Sequence, residues 1–351
     1  MQSSRANLWK PVAITLAVLA AGAAVFVGVR NDDDQTQTEA QSTSVQDLAA
    51  GKKALYGLNG LVRFNPVGFD NGDFCKAIDS IHPDFMREPG GTNANYFNWR
   101  TDVPSLPSIK NLVEKTHCQI LWDLNVLTST VDDQIAMLDA AYKLGIFKDS
   151  LWFEMGNELN QFNYEGKQRF PNAAAYADSC RHWVGAIKKH FSFVPFIQYG
   201  CVGENKKWKG SETWAKNTLE KNPDCHLIWH YYNPGKFTHN GRADTNAIKK
   251  MMHDDFVKSF GDVPPSRVWV TEFSLNDHKK DTPDMLDTLT DDQVEVAVQF
   301  MFKEFTDMGI PVIIKHNVVG KAYAAVKATK SGAYLLPAGI GMREFLLSVR
   351  K

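Results

Sequence analysis

From residue 54 onward, eight short apolar runs alternate with eight amphipathic stretches. That alternation restricts the fold more than any other property of the chain. The runs lie at 54–60 (ALYGLNG), 82–88 (HPDFMRE), 118–125 (CQILWDLN), 151–158 (LWFEMGNE), 195–201 (PFIQYGC), 226–232 (HLIWHYY), 267–273 (RVWVTEF) and 312–317 (VIIKHN). Each has the length of a strand. Segments near 72–80, 106–116, 132–145, 172–190, 211–221, 244–260, 290–308 and 338–349 read as helices. Some carry start signals: Thr290 stands just before DDQVEVAVQF, and Asp132 and Asp133 fall in a first turn. Strands that alternate with helices build parallel βαβ units. Eight of each predict an α/β fold, a (β/α)8 TIM barrel over residues 54–351. A doubly wound open sheet is the competing architecture. It would place a Gly-rich phosphate loop after its first strand, and YGLNGLVRF is not a GxGxxG.

The first 53 residues have a different character. Residues 11–29 (PVAITLAVLAAGAAVFVGV) carry no charge. At ~1.5 Å per residue this run reaches about 30 Å as a helix, the thickness of a bilayer's hydrocarbon core. Residues 1–30 are therefore expected to form a signal anchor, a transmembrane helix holding the protein to the membrane. A cleaved signal peptide is the alternative, with small residues for cleavage at 20–24 (AAGAA). Arg5 and Lys10 precede the run, and Asp32, Asp33 and Asp34 follow it, which orients the N-terminus to the cytoplasm. Both readings put the body of the protein outside the membrane, either anchored or secreted. Residues 31–53 are polar and read as a flexible linker.

The net charge of −1 provides no basic field to gather nucleic acid, so no nucleic-acid partner is expected. Nothing in the sequence bears on the oligomeric state. Cys75, Cys118, Cys180, Cys201 and Cys225 show no CxxC pair and no metal-ligand spacing, and they read as small buried apolar side chains.

In a (β/α)8 barrel the working groups sit at the C-terminal ends of the strands. Here those ends are polar. Strand one ends with Asn59, and strand two with Arg87 and Glu88 before PGGTNANYFNW. Strand three carries Asp123 and Asn125, and strand four ends with Asn157 and Glu158. Strand six places His230 and Tyr232 on one face. Strand seven ends with Glu272, and strand eight with His316 and Asn317. Any one of these alone reads as a solvated strand end. Gathered at one rim, they describe the mouth of an active site.

Two carboxylates across such a mouth suit the hydrolysis of a glycosidic bond. One protonates the leaving oxygen, and the other attacks the sugar carbon when the carboxyls are about 5–5.5 Å apart. An amide beside the acid binds a sugar hydroxyl in the transition state. Asn157 next to Glu158, with Glu272 opposite, supplies these groups.

These motifs resemble those of the large clan of retaining (β/α)8 glycoside hydrolases. EMGNELN resembles their strand-four Asn-Glu signature, and VWVTEFS their strand-seven nucleophile. The resemblance implies Glu158 as acid/base, Glu272 as nucleophile and Asn157 as a ligand of the 2-hydroxyl. IWHYYN is similar to the sixth strand of heparanase-like endo-β-glucuronidases, which implies His230 and Tyr232 as pocket residues, Tyr232 bonding the nucleophile. MREPGGTNANYFNW and LNVLT resemble the second and third strands of α-L-arabinofuranosidases and of the heparanase-like group, and imply Arg87, Thr92 and Asn125 at the rim. Many clan members end strand eight with a tryptophan, where this chain has IIKHNVVG. Those families usually carry a further β-sandwich, which residues 54–351 are not expected to include.

The expectation is a retaining glycosidase acting on an oligo- or polysaccharide, with no metal or organic cofactor. The substrate-binding set is Asn59, Arg87, Thr92, Asn125, Asn157, His230, Tyr232, His316 and Asn317. A catalytically inactive carbohydrate-binding barrel is the alternative. A metal-dependent hydrolase would want a His-x-His near strand one, where the chain offers only YGLNG. Trp99 and Trp208 fall in loops and are candidates for sugar stacking. Trp122, Trp152, Trp214, Trp229 and Trp269 read as packing residues.

Overall fold

The computed structural model describes residues 54–350, except 62, 64–66, 162–163, 206–212, 234–237, 240–241, 276–288 and 321–322. The expected anchor and linker lie outside the described residues. Among the described residues, no helix is long and apolar enough to cross a membrane.

Eight parallel strands close into a barrel: β1 (Leu55–Asn59), β2 (Phe85–Glu88), β3 (Gln119–Asp123), β4 (Ser150–Glu154), β5 (Phe196–Val202), β6 (His226–Asn233), β7 (Val268–Leu275) and β8 (Val312–Lys315). They follow chain order around the barrel, and β8 pairs with β1 to complete it. The surrounding helices are α1 (Gly72–Asp79), α2 (Leu106–Thr116), α3 (Val131–Lys143), α4 (Tyr164–Arg169), α5 (Ala173–His190), α6 (Trp214–Lys221), α7 (Thr245–Phe260), α8 (Asp291–Asp307) and α9 (Pro337–Val349). The barrel expected from the alternation is present.

Local chemistry starts the helices where the sequence signals it. Thr290 and Gln293 form a reciprocal capping box at α8: Gln293 N–H donates to Thr290 Oγ1 at 3.4 Å, and Thr290 N–H donates to Gln293 Oε1 at 2.9 Å. Thr130 caps α3 by accepting from Asp133 N–H at 3.2 Å.

Three features depart from the expected pattern. β4 ends at Glu154, so Asn157 and Glu158 belong to the loop beyond it, not to the strand. There Gly156 and Glu158 have φ of 81° and 50°, values no strand residue adopts. The short helix α4 precedes α5; its sequence YEGKQR has no apolar stripe by which to read it. A hairpin, Val326–Thr329 with Gly332–Leu335, stands between β8 and α9.

Aromatic side chains fill the N-terminal half of the barrel. Trp152 meets Phe85, Phe196 and Trp269 at ring distances of 5.0, 5.3 and 5.6 Å, and His226 stacks on Trp269 at 4.7 Å. Gly200 makes room for this layer, since a Cβ there would lie 2.3 Å from Ile228 Cδ1. Outside the barrel, Trp229 packs on Phe256, Phe260 and Phe305. Trp122, Trp152, Trp214, Trp229 and Trp269 are all buried, as expected, and so are the five free cysteines.

Candidate active site

With the lower barrel full, the polar side chains occupy the C-terminal half. An irregularity between β6 and β7 sets the most important of them. Trp229 pairs with Val270, but the next residue, His230, pairs with Glu272. Thr271 is thus an extra residue in β7. Trp269 faces into the barrel against Trp152, whereas Phe273 faces out against Phe302 and Phe305 of α8. A strict period of two would put both on one face. The bulge changes the phase and turns Glu272 inward beside His230.

Glu272 is 3% exposed and heavily bonded. Its Oε1 accepts from Asn59 Nδ2 at 2.8 Å and from Arg87 Nη1 at 2.7 Å, and its Oε2 accepts from the Tyr232 hydroxyl. Burial by itself would raise its pKa. The charges of His230, His316 and Arg87 and the Tyr232 hydrogen bond outweigh burial and hold the carboxyl well below its usual range.

Glu158 reaches the same place from the loop after β4. Gly156 starts the turn: a Cβ there would come within 2.7 Å of Leu159 Cδ1 and Val126 Cγ2. Asn95 then clamps the backbone of Asn157, accepting from its N–H at 3.2 Å and donating to its carbonyl at 2.9 Å. The Glu158 side chain is 26% exposed, against 4% for that of Glu272. One oxygen of Glu158, one of Glu272 and a ring nitrogen of His230 lie within 4.8 Å of one another.

His230 joins the two carboxylates. Its Nδ1 stands 3.0 Å from Glu158 Oε1 and 3.7 Å from Glu272 Oε2, and its Nε2 is 3.2 Å from Thr271 Oγ1. Burial lowers its pKa, but the charge of Glu272 and the bond to Glu158 raise it further, so the ring keeps its proton to higher pH than an ordinary histidine. These three groups are close enough to hold a small cation.

Arg87 supports the site from below. It is fully buried. Its Nε and Nη2 donate to Glu154 Oε2 at 3.0 and 2.8 Å, and Nη2 also donates to Asn157 Oδ1 at 3.1 Å. Asp123 Oδ2 approaches Nη2 at 2.7 Å without the alignment of a hydrogen bond. Burial pushes Asp123 well above the ordinary carboxylate range against the pull of Arg87.

The structure therefore brings Asn59, Arg87, Asn157, Glu158, His230, Tyr232 and Glu272 into one network. His316 joins it: its Nδ1 is 2.9 Å from Asn59 Nδ2 and 3.5 Å from Glu272 Oε2. Three expected residues form no hydrogen bond or ion pair with the two carboxylates among the described residues. Thr92 is exposed on the turn Gly91–Tyr96. Asn125 ties two loops together, donating to Phe97 O and Thr128 Oγ1. Asn317 packs near Gly320 and accepts Ala325 N–H through its carbonyl. Of the loop tryptophans, Trp99 donates to Asp133 Oδ1 at 3.4 Å under the Arg100 guanidinium, and Trp208 lies outside the described residues. Sequence reading passed over Asn95 and Glu154. Glu154 had a signal, a carboxylate two residues from Trp152 and so on the same inward face; Asn95 had none, because its partner is distant in sequence.

The same barrel fold occurs in solved structures of α-L-arabinofuranosidases and of an endoglucanase. The chain is similar to the α-L-arabinofuranosidase of Thermotoga maritima, with TM-score 0.58 and 15% identity over 83% of this chain and 69% of that one. It is also similar to AbfB, a family 51 α-L-arabinofuranosidase from Bifidobacterium longum, with TM-score 0.60 and 15% identity over 84% and 72% of the two chains. A GH5-4 broad-specificity endoglucanase from Ruminococcus flavefaciens matches with TM-score 0.53 and 10% identity over 88% of this chain and 98% of its own. No protein-family model and no curated protein sequence matches the chain.

Proposed function

We propose that this protein is a retaining glycoside hydrolase acting on an oligo- or polysaccharide by double displacement. The observation that carries the reading is the carboxylate separation. An oxygen of Glu158 and one of Glu272 lie within 4.8 Å. Retaining enzymes hold their carboxyls about 5–5.5 Å apart, whereas inverting ones leave roughly 6.5–9.5 Å for a water.

The environments suit divided roles. Glu272, held ionised, attacks the anomeric carbon while Glu158 gives a proton to the leaving oxygen. A covalent glycosyl–enzyme intermediate forms. Glu158 then takes a proton from water, which attacks the same carbon and releases Glu272. Asn59, Arg87 and Tyr232 already bind the Glu272 oxygens, so the carboxylate is oriented before attack and received on release. His230 sits between the two glutamates and steadies whichever one carries charge. Residues 11–29 support an extracytoplasmic site of action, anchored or secreted.

The experiment is trapping with fluorinated glycosides, drawn from a panel that starts with arabinofuranosides and cello-oligosaccharides, followed by peptide mass mapping. Label on Glu272 is expected. Carbohydrate binding without cleavage on any substrate, unchanged by Glu158→Gln and Glu272→Gln, would make the protein a binding barrel instead.

A further inference from the structure

Beneath Glu272 lies a group of acids that the mechanism above does not use. Asp123, Glu154 and Glu272 all reach one guanidinium, that of Arg87. Asp123 and Glu154 are paired positions on neighbouring strands, both facing inward, and both touch the same Nη2. They are 1% and 0% exposed. Glu272 also has His230 and His316 beside it, whereas Asp123 and Glu154 have one guanidinium between them, and like charges sharing a site favour one of the two keeping its proton.

The hydrogen bonds show which one. Glu154 accepts two aligned guanidinium bonds on Oε2, as an ionised carboxylate does. Its Oε1 has no donor among the described residues, and neither oxygen of Asp123 has one. A single proton on Asp123 Oδ1 pairs two of these three oxygens, its O–H donating to Glu154 Oε1, and leaves Oδ2 in its 2.7 Å approach to Arg87 Nη2.

We propose that Asp123 and Glu154 share one proton and act as positioning residues that aim Arg87 at Glu272. The pair carries one negative charge, matched by Arg87. The groups facing it are Arg87 from β2, His230 from β6 and Glu272 from β7. The two bonds from Glu154 lock the guanidinium plane, so Nη1 presents one directed hydrogen bond to Glu272. With its charge balanced from below, Arg87 orients the nucleophile without pairing so tightly that attack is blunted. Burial moves Asp123 in the direction this requires. The functional part rests on the reading of Glu272 as nucleophile; the protonation part does not.

Infrared spectroscopy of the whole protein at neutral pH tests protonation without any substrate. The wild type is expected to show the C=O stretch of a buried carboxylic acid that Asp123→Asn removes. Glu154→Gln is expected to remove it as well, because Asp123 must then ionise as the remaining counter-ion. Glu88→Gln serves as a control that removes only the separate band of Glu88, whose buried carboxyl is also pushed well above the ordinary range. On a cleaved glycoside, Asp123→Asn is expected to lower turnover less than Glu154→Gln does, since its amide donates to Glu154 as the acid did. Glu154→Gln is expected to lower kcat about 100-fold, the scale of losing one preorganised donor, with KM little changed. Survival of the band in Asp123→Asn overturns the proposal. So does equal loss of turnover in the two variants. Should Glu154→Gln fail to fold, Asp123→Asn decides by itself: loss of the band supports the proposal, and its survival overturns it.

Discussion

His230 stands opposite Glu272 across the β6–β7 ladder because Thr271 is an extra residue in β7. Without that bulge, Glu272 would share the outward face of Val270 and meet α8. With it, the carboxylate comes within 3.7 Å of the His230 ring, which in turn lies 3.0 Å from Glu158. Two acids from distant parts of the chain meet around one imidazole.

The two acids should fail differently. Glu158→Gln removes the proton donor and is expected to lower kcat roughly 10²–10⁴-fold on natural substrates. Aryl glycosides with good leaving groups need little protonation, so on them the first step should survive and the covalent intermediate accumulate. Glu272→Gln should yield no intermediate on either kind. Burst kinetics with mass spectrometry separates the cases, and an intermediate in Glu272→Gln would exclude it as nucleophile.

Stability should fall as pH rises through the histidine range. His230 has a raised folded-state pKa, so its contribution is complete below its ordinary value of 6.5 and disappears as pH passes the raised value. Glu272 has the opposite sign. Its depressed pKa contributes stability above the ordinary carboxylate value, lost only as pH falls through the folded value in strong acid. Thermal melts across pH should show His230→Gln flattening the alkaline side alone. An unchanged alkaline slope would remove His230 from this role.

Asn95→Ala breaks both bonds to the Asn157 backbone and leaves buried groups unpaired, at a cost of about 1–3 kcal/mol for each. Activity should drop with stability, because the same loop carries Glu158. Asn95→Asp keeps the acceptor for Asn157 N–H but loses the donor, so it should fall between wild type and alanine in both urea melts and turnover. Full turnover in Asn95→Ala would show that the clamp does not position the acid.

Trp152 is the centre of the aromatic layer in the lower barrel. Trp152→Ala is expected to cost about 3–5 kcal/mol, and Gly200→Ala about 1–3 kcal/mol through overpacking against Ile228 and Trp269. Neither residue touches the carboxylates, so chemical denaturation should report the change in stability directly. A Gly200→Ala variant as stable as wild type would mean that Ile228 and Trp269 relax freely.

The amino-acid sequence by itself determined the barrel. Eight apolar runs and eight amphipathic stretches are local patterns, and the periods of strand and helix write them directly into residue order. It also determined that polar groups gather at one rim, because strands of one parallel barrel all end on the same face. Tertiary structure decided the rest. The bulge at Thr271 that turns Glu272 inward depends on how β7 pairs with β6 and packs on α8. The loop conformation of Glu158 depends on Asn95, a residue held in place by a different turn. Arg87, legible as a rim residue, proved to be fully buried, its charge shared among Asp123, Glu154 and Glu272 from three other strands. Asn125, legible in the same way, ties two loops together. The physical reason is range: periodicity and capping act between near neighbours, whereas burial, ion pairing and the direction of a side chain at a bulge are set by partners far away in the chain.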